Sequence, residues 1–317
     1  MLPYHVPPFL TSPPGGIRKQ EKAAVYANLY PPRGLTHRRK TGYNVSSLYF
    51  CLLDRQPREG ARTAGCSREG KHMELIKHRV AHYWSHRAEA FEAQRLREFD
   101  SEKRARWLAE LSRYLPQGRP LRVLDIGTGT GFFACLFAAE GHKATGIDLT
   151  PDMIEHAEHM AAVLGLDATF RIMDAENPDF EPESFDVLVT RNLTWTLPHV
   201  EKAYREWYRI LKPGGVLINF DADYSAALED EQQGGEKHEL PENHAHKLVP
   251  DDLMAENDAI TMEIDAYHGP RPQWDVQLLI EAGFERVTVD KGVYKRIYAE
   301  IDEFFNPTPI FTIAAFK

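Results

Sequence analysis

The chain has 317 residues, 43% of them hydrophobic and 27% charged, the composition of a soluble globular protein with room for one large domain or two modest ones. It has no run of 18 apolar residues, no apolar leader followed by a small-residue cleavage site, and three scattered cysteines (Cys51, Cys66, Cys135) without a CxxC pair; this excludes a membrane span, a secretory signal, a disulfide framework and a cysteine zinc site, and points to a reducing cytoplasm. The formal charge of −9 is unevenly spread: residues 1–72 carry twelve Lys/Arg against four Asp/Glu, the remainder 26 against 43, so the patterned part repels phosphate backbones and a nucleic-acid substrate is disfavoured.

Residues 1–72 hold Pro7-Pro8, Pro13-Pro14-Gly15-Gly16, Pro31-Pro32 and the basic run His37-Arg38-Arg39-Lys40, and no helical or strand period persists there. They read as a disordered basic extension. Their Arg-rich composition has the look of a transit peptide. The reading favoured over it is that the folded protein begins near Met73 and the extension is dispensable. From Glu74 to about Leu115 the pattern is helical, with Tyr83, Ala90, Leu96, Phe99, Trp107, Leu108 and Leu111 recurring among charges; residues 73–118 form a cap of N-terminal helices, closed by Pro116-Gln117-Gly118.

From 119 to 317 strands and helices alternate. Strands are expected at Leu121–Ile126, Lys143–Asp148, Ala168–Met173, Ser184–Thr190 and Val216–Asp221. Helices are expected at Gly131–Glu140, Thr150–Leu164 (with Pro151 in its first turn) and Val200–Leu211. Residues 225–270 break the rhythm: they are acidic, hold His238, His244 and His246, show no strand, and read as an irregular lid inserted after the fifth strand. A helix Gln273–Ala282, a strand Arg286–Asp290 and an apolar strand Ile310–Phe316 complete the chain. The whole is α/β: a doubly wound, mostly parallel seven-stranded sheet with helices on both faces.

The motif Val123-Leu124-Asp125-Ile126-Gly127-Thr128-Gly129-Thr130-Gly131 ends a strand and opens a helix. Its spacing is GxGxG; the dinucleotide fingerprint GxGxxG would need a glycine where Phe132 stands. A carboxylate two residues before the first glycine repels a pyrophosphate but suits a ligand carrying an ammonium and a sulfonium. No Gly-Lys-Ser/Thr follows, which excludes a triphosphate P-loop. Asp125 and Asp148 as plain helix caps, and Leu211-Lys212-Pro213-Gly214-Gly215 as a plain helix stop, are the bland alternatives.

These residues, with Gly146-Ile147-Asp148, Met173-Asp174-Ala175 and Arg209-Ile210-Leu211-Lys212-Pro213-Gly214-Gly215-Val216-Leu217 in order behind them, resemble the class I S-adenosylmethionine (SAM)-dependent methyltransferase family, in particular its small-molecule members. The likeness covers roughly Tyr83 to Phe316. It implies a Rossmann-like fold and SAM as cofactor. It also implies a loop of Asp125, Gly127, Thr128, Gly129 and Gly131 around it, Asp148 on the ribose hydroxyls, Asp174 with Ala175 at the adenine amino group, and Leu149 and Met153 on the adenine ring. Tyr83-Trp84-Ser85-His86-Arg87-Ala88 looks like the family's covering helix, with Arg87 facing the methionine carboxylate, Tyr83 nearby, and Arg191 as a further contact. The implied activity is methyl transfer to a small-molecule acceptor at N, O, S or C. A non-catalytic SAM-binding protein or a protein methyltransferase are the alternatives.

Acceptor residues belong at the carboxyl ends of strands four and five. Asn192 is a candidate to orient the nucleophile, Asp221 and Tyr224 are candidates to accept a proton, and Trp195 and Trp274 are candidate pocket walls with core packing as the equal alternative. The spacing of His238, His244 and His246, with His268 beyond, matches no zinc site, so no metal is expected. No membrane partner is expected, and the oligomeric state is left open.

Overall fold

A computed structural model describes residues 62–234, 239–244, 247 and 249–317. Most of the basic extension, residues 1–61, lies outside them, as do His238 and His246. Helix α1 spans Arg62–Ser85, so helical order begins twelve residues ahead of the expected Glu74 and crosses the boundary placed at 72/73. Met73, Ile76 and Val80 make its apolar stripe at spacings of three and four, a period hidden in the sequence by the charges that surround it. Helix α2 is Ala88–Phe99 and α3 is Glu102–Ser112, capped by the Ser101 hydroxyl, which accepts from the Lys103 N–H at 3.1 Å.

The strands are β1 Arg122–Ile126, β2 Lys143–Asp148, β3 Ala168–Ile172, β4 Phe185–Arg191, β5 Leu211–Ala222, β6 Arg286–Asp290 and β7 Ile310–Phe316. They form one sheet in the order β3-β2-β1-β4-β5-β7-β6. The first five are parallel neighbours, while β7 runs antiparallel to both β5 and β6. Helices α4 Phe132–Ala139, α5 Pro151–Leu164, α6 Val200–Ile210, α9 Gln273–Ala282 and the short α10 Val293–Ile297 flank the sheet. Four of the five residues of β1 and six of the seven of β4 are buried, which is why these strands read as continuous apolar runs. Side-chain alternation divides them between two cores. Val123, Val187, Val189 and Ile218 pack with α3, α4 and α5 on one face; Leu124, Ile126, Leu188 and Leu217 pack with α6 and α9 on the other.

The segment expected to be irregular is partly helical: α7, Tyr224–Gln232, and α8, Asp251–Asp265, lie within it. Ile260 and Ile264 of α8 are buried against Met73 and Ile76 of α1, and Arg79 of α1 pairs with Glu256 at 2.6 Å and with Glu263 of α8. The insertion and the N-terminal helix are therefore one packed layer. Strand order reverses between β1 and β4, and the carboxyl ends of the parallel strands meet a cleft at that point.

Candidate functional site

Asp125 sits one residue before the end of β1 and is 2% exposed. Its carboxylate accepts from the Thr128 hydroxyl at 2.6 Å and from the Ala134 N–H, in the first turn of α4, at 3.0 Å. Burial pushes this carboxyl up to about 7, against the pull of those two hydrogen bonds. Asp125 thus does what a cap does and also forms part of the cleft wall. Gly127 has φ +64°, and a Cβ there would lie 2.7 Å from Leu193; only glycine meets both the left-handed backbone and the close approach. Gly131 faces the core: a Cβ on it would press on Phe170 and Ala157 at about 3 Å, so it fits α4 against its neighbours and is absent from the cleft wall, where Thr130 stands.

Asp148, at the end of β2, accepts from Gly129 N–H at 3.0 Å and Thr150 N–H at 2.9 Å, and burial raises its carboxyl above the usual range. Leu149 and Met153 line the cleft beside it. After β3, Asp174 accepts from Glu176 N–H at 2.8 Å and from the Lys77 ammonium at 2.8 Å; Ala175 is again in the wall. Burial would lower the Lys77 ammonium, but Asp174 and Glu176 outweigh it and hold it above its ordinary value. Lys77, Val80, Ala81 and Trp84 all face this cleft, at the spacings of three, four and seven that put residues on one helical face.

The cleft, of about 140 Å³, adjoins a larger cavity of about 680 Å³ walled by α2, β4, α7, α8 and the 298–309 connection. Trp84, Phe91, Arg95, Arg191 and Asn192 line both. Arg191 closes β4 over the Trp107 ring at 4.4 Å, donates to both oxygens of Glu98 at 3.2 and 3.3 Å, and donates to the Tyr298 hydroxyl at 3.1 Å. Glu98 is fully buried and also accepts from Trp107 Nε1 at 2.8 Å and from Arg95. Burial alone would raise it, yet Arg191 and Arg95 pull it down to about 2.

The covering helix differs from expectation in one respect. Arg87 is 3% exposed, donates to the Tyr83 hydroxyl at 2.7 Å, and is not among the residues lining either cavity. Tyr83 lines the larger cavity only, and Arg95 is the arginine of this region that reaches the cleft. The helix break between Ser85 and Ala88 turns Arg87 inward, and nothing in the local pattern announces that break.

Among the acceptor candidates, Asn192 stands where the two cavities meet and has φ +56°, a left-handed conformation that Asn tolerates better than most residues. Its carbonyl accepts from Trp195 Nε1 at 3.0 Å. Trp195 and Tyr224 wall the larger cavity with ring centroids 4.8 Å apart. Burial pushes the Tyr224 phenol well above its ordinary value, so at neutral pH it stays protonated and is not the expected proton acceptor; its hydroxyl accepts from Asn306 Nδ2 at 3.0 Å. Asp221 is corrected outright. It is fully buried, accepts from Thr194 Oγ1 at 2.5 Å and Ala222 N–H at 2.8 Å, and faces the Arg271 guanidinium at 3.4 Å. It lines neither cavity and joins a structural network with Asp275 and Tyr204. Trp274 packs on Gly269 and the His268 ring, away from both cavities. His244 is buried with Nε2 on the Phe305 carbonyl at 2.8 Å, and His268 Nε2 meets the Leu197 carbonyl at 2.8 Å.

Lys77, Arg95 and Glu98 escape a sequence reading. Lys77 precedes Trp84 by seven residues, and that spacing is the one signal that places it on the cleft face.

A methyltransferase-domain family profile matches residues 124–219, from β1 through β5. A demethylmenaquinone methyltransferase of Thermus thermophilus is 36% identical over 101 residues, 31% of this chain and 46% of that protein. A ubiquinone/menaquinone biosynthesis C-methyltransferase of Nitrobacter hamburgensis is 29% identical over 184 residues, 53% of this chain and 68% of that protein. The structure of Haemonchus contortus phosphoethanolamine N-methyltransferase 2 with S-adenosyl-L-methionine overlaps with a TM-score of 0.48 and 22% identity, covering 66% of this chain and 51% of that one. The chain spans less than half the length of the first three curated relatives it matches, at 40%, 48% and 46%.

Proposed function

The chain belongs to the class I SAM-dependent methyltransferase family, and from that premise we propose that it binds SAM in the cleft and transfers its methyl group to a small molecule held in the adjoining cavity. The observation that carries the reading is the row of three carboxylates, Asp125, Asp148 and Asp174, at the ends of three adjacent parallel strands and all on one cleft.

The residues present fit the cofactor. Each carboxylate oxygen of Asp148 accepts one backbone N–H and keeps acceptor capacity for a ribose hydroxyl. Leu149 and Met153 offer apolar faces to an adenine ring, and Asp174 offers an acceptor to its amino group. Arg95 and Arg191 stand where the cleft opens into the adjoining cavity. SAM, when bound, supplies a methyl group already activated on a sulfonium. The protein's own task is then to orient the acceptor and exclude water. Asn192 fixes the rim of the passage between the cavities, and the packed layer of α1 and α8 covers it.

The relatives named for quinones act on small molecules, in keeping with the aromatic walls of the second cavity. The test is calorimetry with SAM, S-adenosylhomocysteine and NAD, followed by incubation with methyl-labelled SAM and a small-molecule panel. The proposal expects both adenosyl ligands to bind, NAD not to, and label to appear in a small product. NAD binding without SAM binding contradicts it.

A further inference from the structure

The passage between the two cavities has an unusual charge. Of the five described residues that line both, two are arginines and the others are Trp84, Phe91 and Asn192. None of these side chains accepts a proton at neutral pH. Arg95 and Arg191 share one buried carboxylate, Glu98, so two cations face one fixed anion. Asp125 lies within reach of the Arg191 charge, but burial pushes its carboxyl up to about 7 and makes it a weak counter-ion; the Tyr298 hydroxyl accepts from Arg191. The other carboxylates in the large cavity, Asp230, Glu231 and Asp258, belong to the α7 and α8 wall. The Arg191 side chain is nine-tenths buried, at 10% exposure, and among the described residues its Nε–H has no hydrogen-bond partner. The guanidinium lies on the wall of both cavities, and its charge favours an anionic oxygen acceptor beside it.

The cavity beyond is large and aromatic. About 680 Å³ falls within the range of pockets that enclose drug-sized ligands, roughly 300–1,000 Å³. Trp84, Phe91, Trp195, Tyr224, Tyr298 and Phe305 supply flat faces. A cationic amine at the reacting end would meet the excess positive charge of Arg95 and Arg191. An anionic oxygen would be held by it.

We propose that Arg95 and Arg191 are an oxyanion-binding pair for the acceptor, and that the acceptor is an aromatic compound with an acidic hydroxyl, a phenol or an enol, bound as its oxyanion. The inference rests on reading the neighbouring cleft as the SAM site. It explains why no general base stands among the described residues that line both cavities: the hydroxyl proton leaves to solvent on binding, because the arginines favour the ionised form. The oxyanion's electron pair, on oxygen or on the conjugated ring carbon, then forms the bond to the methyl carbon. The carbon–sulfur bond breaks with its pair kept on sulfur, leaving neutral S-adenosylhomocysteine. A ring carbon that has gained the methyl returns its proton to solvent.

The test uses 4-nitro-1-naphthol, whose oxyanion has its own visible absorption, and 1-naphthylmethylamine, a cation of similar shape, on the full chain saturated with S-adenosylhomocysteine. An opposite charge within contact range lowers an acid's pKa by about one to three units, so bound nitronaphthol is expected to ionise at least about one pH unit below the free compound and to bind at least tenfold more tightly than the amine. Arg95→Gln is expected to abolish the shift and Arg95→Lys to keep most of it. If Arg95→Gln does not fold, the comparison of the two probes on the parent protein decides alone. Equal or tighter amine binding, or an unshifted naphthol on protein that binds S-adenosylhomocysteine, overturns the inference while leaving the SAM reading intact. A shift seen only without S-adenosylhomocysteine, and lost on its addition, assigns the arginines to the cofactor's carboxylate and also overturns it. A shifted naphthol on protein that binds no adenosyl ligand supports the oxyanion pair and removes the SAM reading instead.

Discussion

The cleft and the cavity beside it are built by different means. The cleft is made by the ends of three adjacent strands and the loops that directly follow them. Its geometry is set by short local contacts: Asp125 to Thr128 and Ala134, Asp148 to Gly129 and Thr150, Asp174 to Glu176. The cavity is assembled from α2, the end of β4, α7, α8 and the 298–309 connection, segments far apart in the chain. Local hydrogen bonds place a carboxylate wherever its loop folds, whereas the cavity exists only when distant helices pack. The cleft is therefore the part that a sequence pattern can carry, and the cavity is the part free to differ in what it accepts. The two regions nevertheless share α1, whose Lys77 reaches Asp174 while Met73 and Ile76 hold α8.

The largest expected effect probes what lies behind both regions. Asp221→Ala leaves Arg271 short of a partner in a buried network and should cost about 3–5 kcal/mol, the scale for breaking a buried ion pair. The melting temperature should fall while the folded fraction keeps its affinity for S-adenosylhomocysteine. A variant of unchanged stability that has lost only turnover would restore Asp221 as a proton acceptor.

Ile264→Ala attacks the link between the regions. It should cost about 2–4 kcal/mol as a buried large-to-small change, and by loosening α1 it should weaken adenosyl ligands as well as acceptors. Loss of acceptor binding at full cofactor affinity would show that α1 and the lid act separately.

Asp148→Ala acts on the cleft alone. It should weaken S-adenosylhomocysteine by about 1–3 kcal/mol, the range for hydrogen bonds to a charged group, and leave nitronaphthol binding to the cavity unchanged. Equal loss of both in titrations would merge the two sites.

The smallest effect is a pH dependence. With its folded carboxyl raised to about 7, Asp125 keeps its proton in the folded state between about pH 4 and 7 while the unfolded chain loses it. Stability of the ligand-free protein therefore falls as pH rises across that window and is level above it. Asp125→Asn removes the slope, so its melting temperature should equal the parent's near pH 4 and exceed it at pH 8. Parallel curves would show that burial does not govern this group.

What was legible in the sequence follows the same division. β2, α9, β6 and β7 stand at the expected bounds, and α5 ends where expected and begins one residue later, with Thr150 as its N-cap, because Gly141, Gly165 and Gly283 and apolar runs mark their ends. The cleft acids were legible because each closes or directly follows a strand. Residues that depend on tertiary packing were not: Lys77 and Arg95 are ordinary charges on helices, Arg87 is turned inward by a helix break, and Asp221 looks catalytic at a strand end until the Arg271 side chain is seen beside it. The helices α7 and α8 were hidden because their buried positions are few: none in α7, and Ile260, Thr261 and Ile264 in α8.

The central claim, that the row of acids binds an adenosyl sulfonium ligand and not a dinucleotide, is tested most directly by calorimetric titration of the full chain with S-adenosylhomocysteine and with NAD, on the parent and on Asp148→Ala. The account predicts saturable binding of S-adenosylhomocysteine to the parent, binding at least about fivefold weaker to Asp148→Ala, and no heat from NAD. Heat from NAD with none from S-adenosylhomocysteine, or equal S-adenosylhomocysteine affinity in parent and variant, would contradict it.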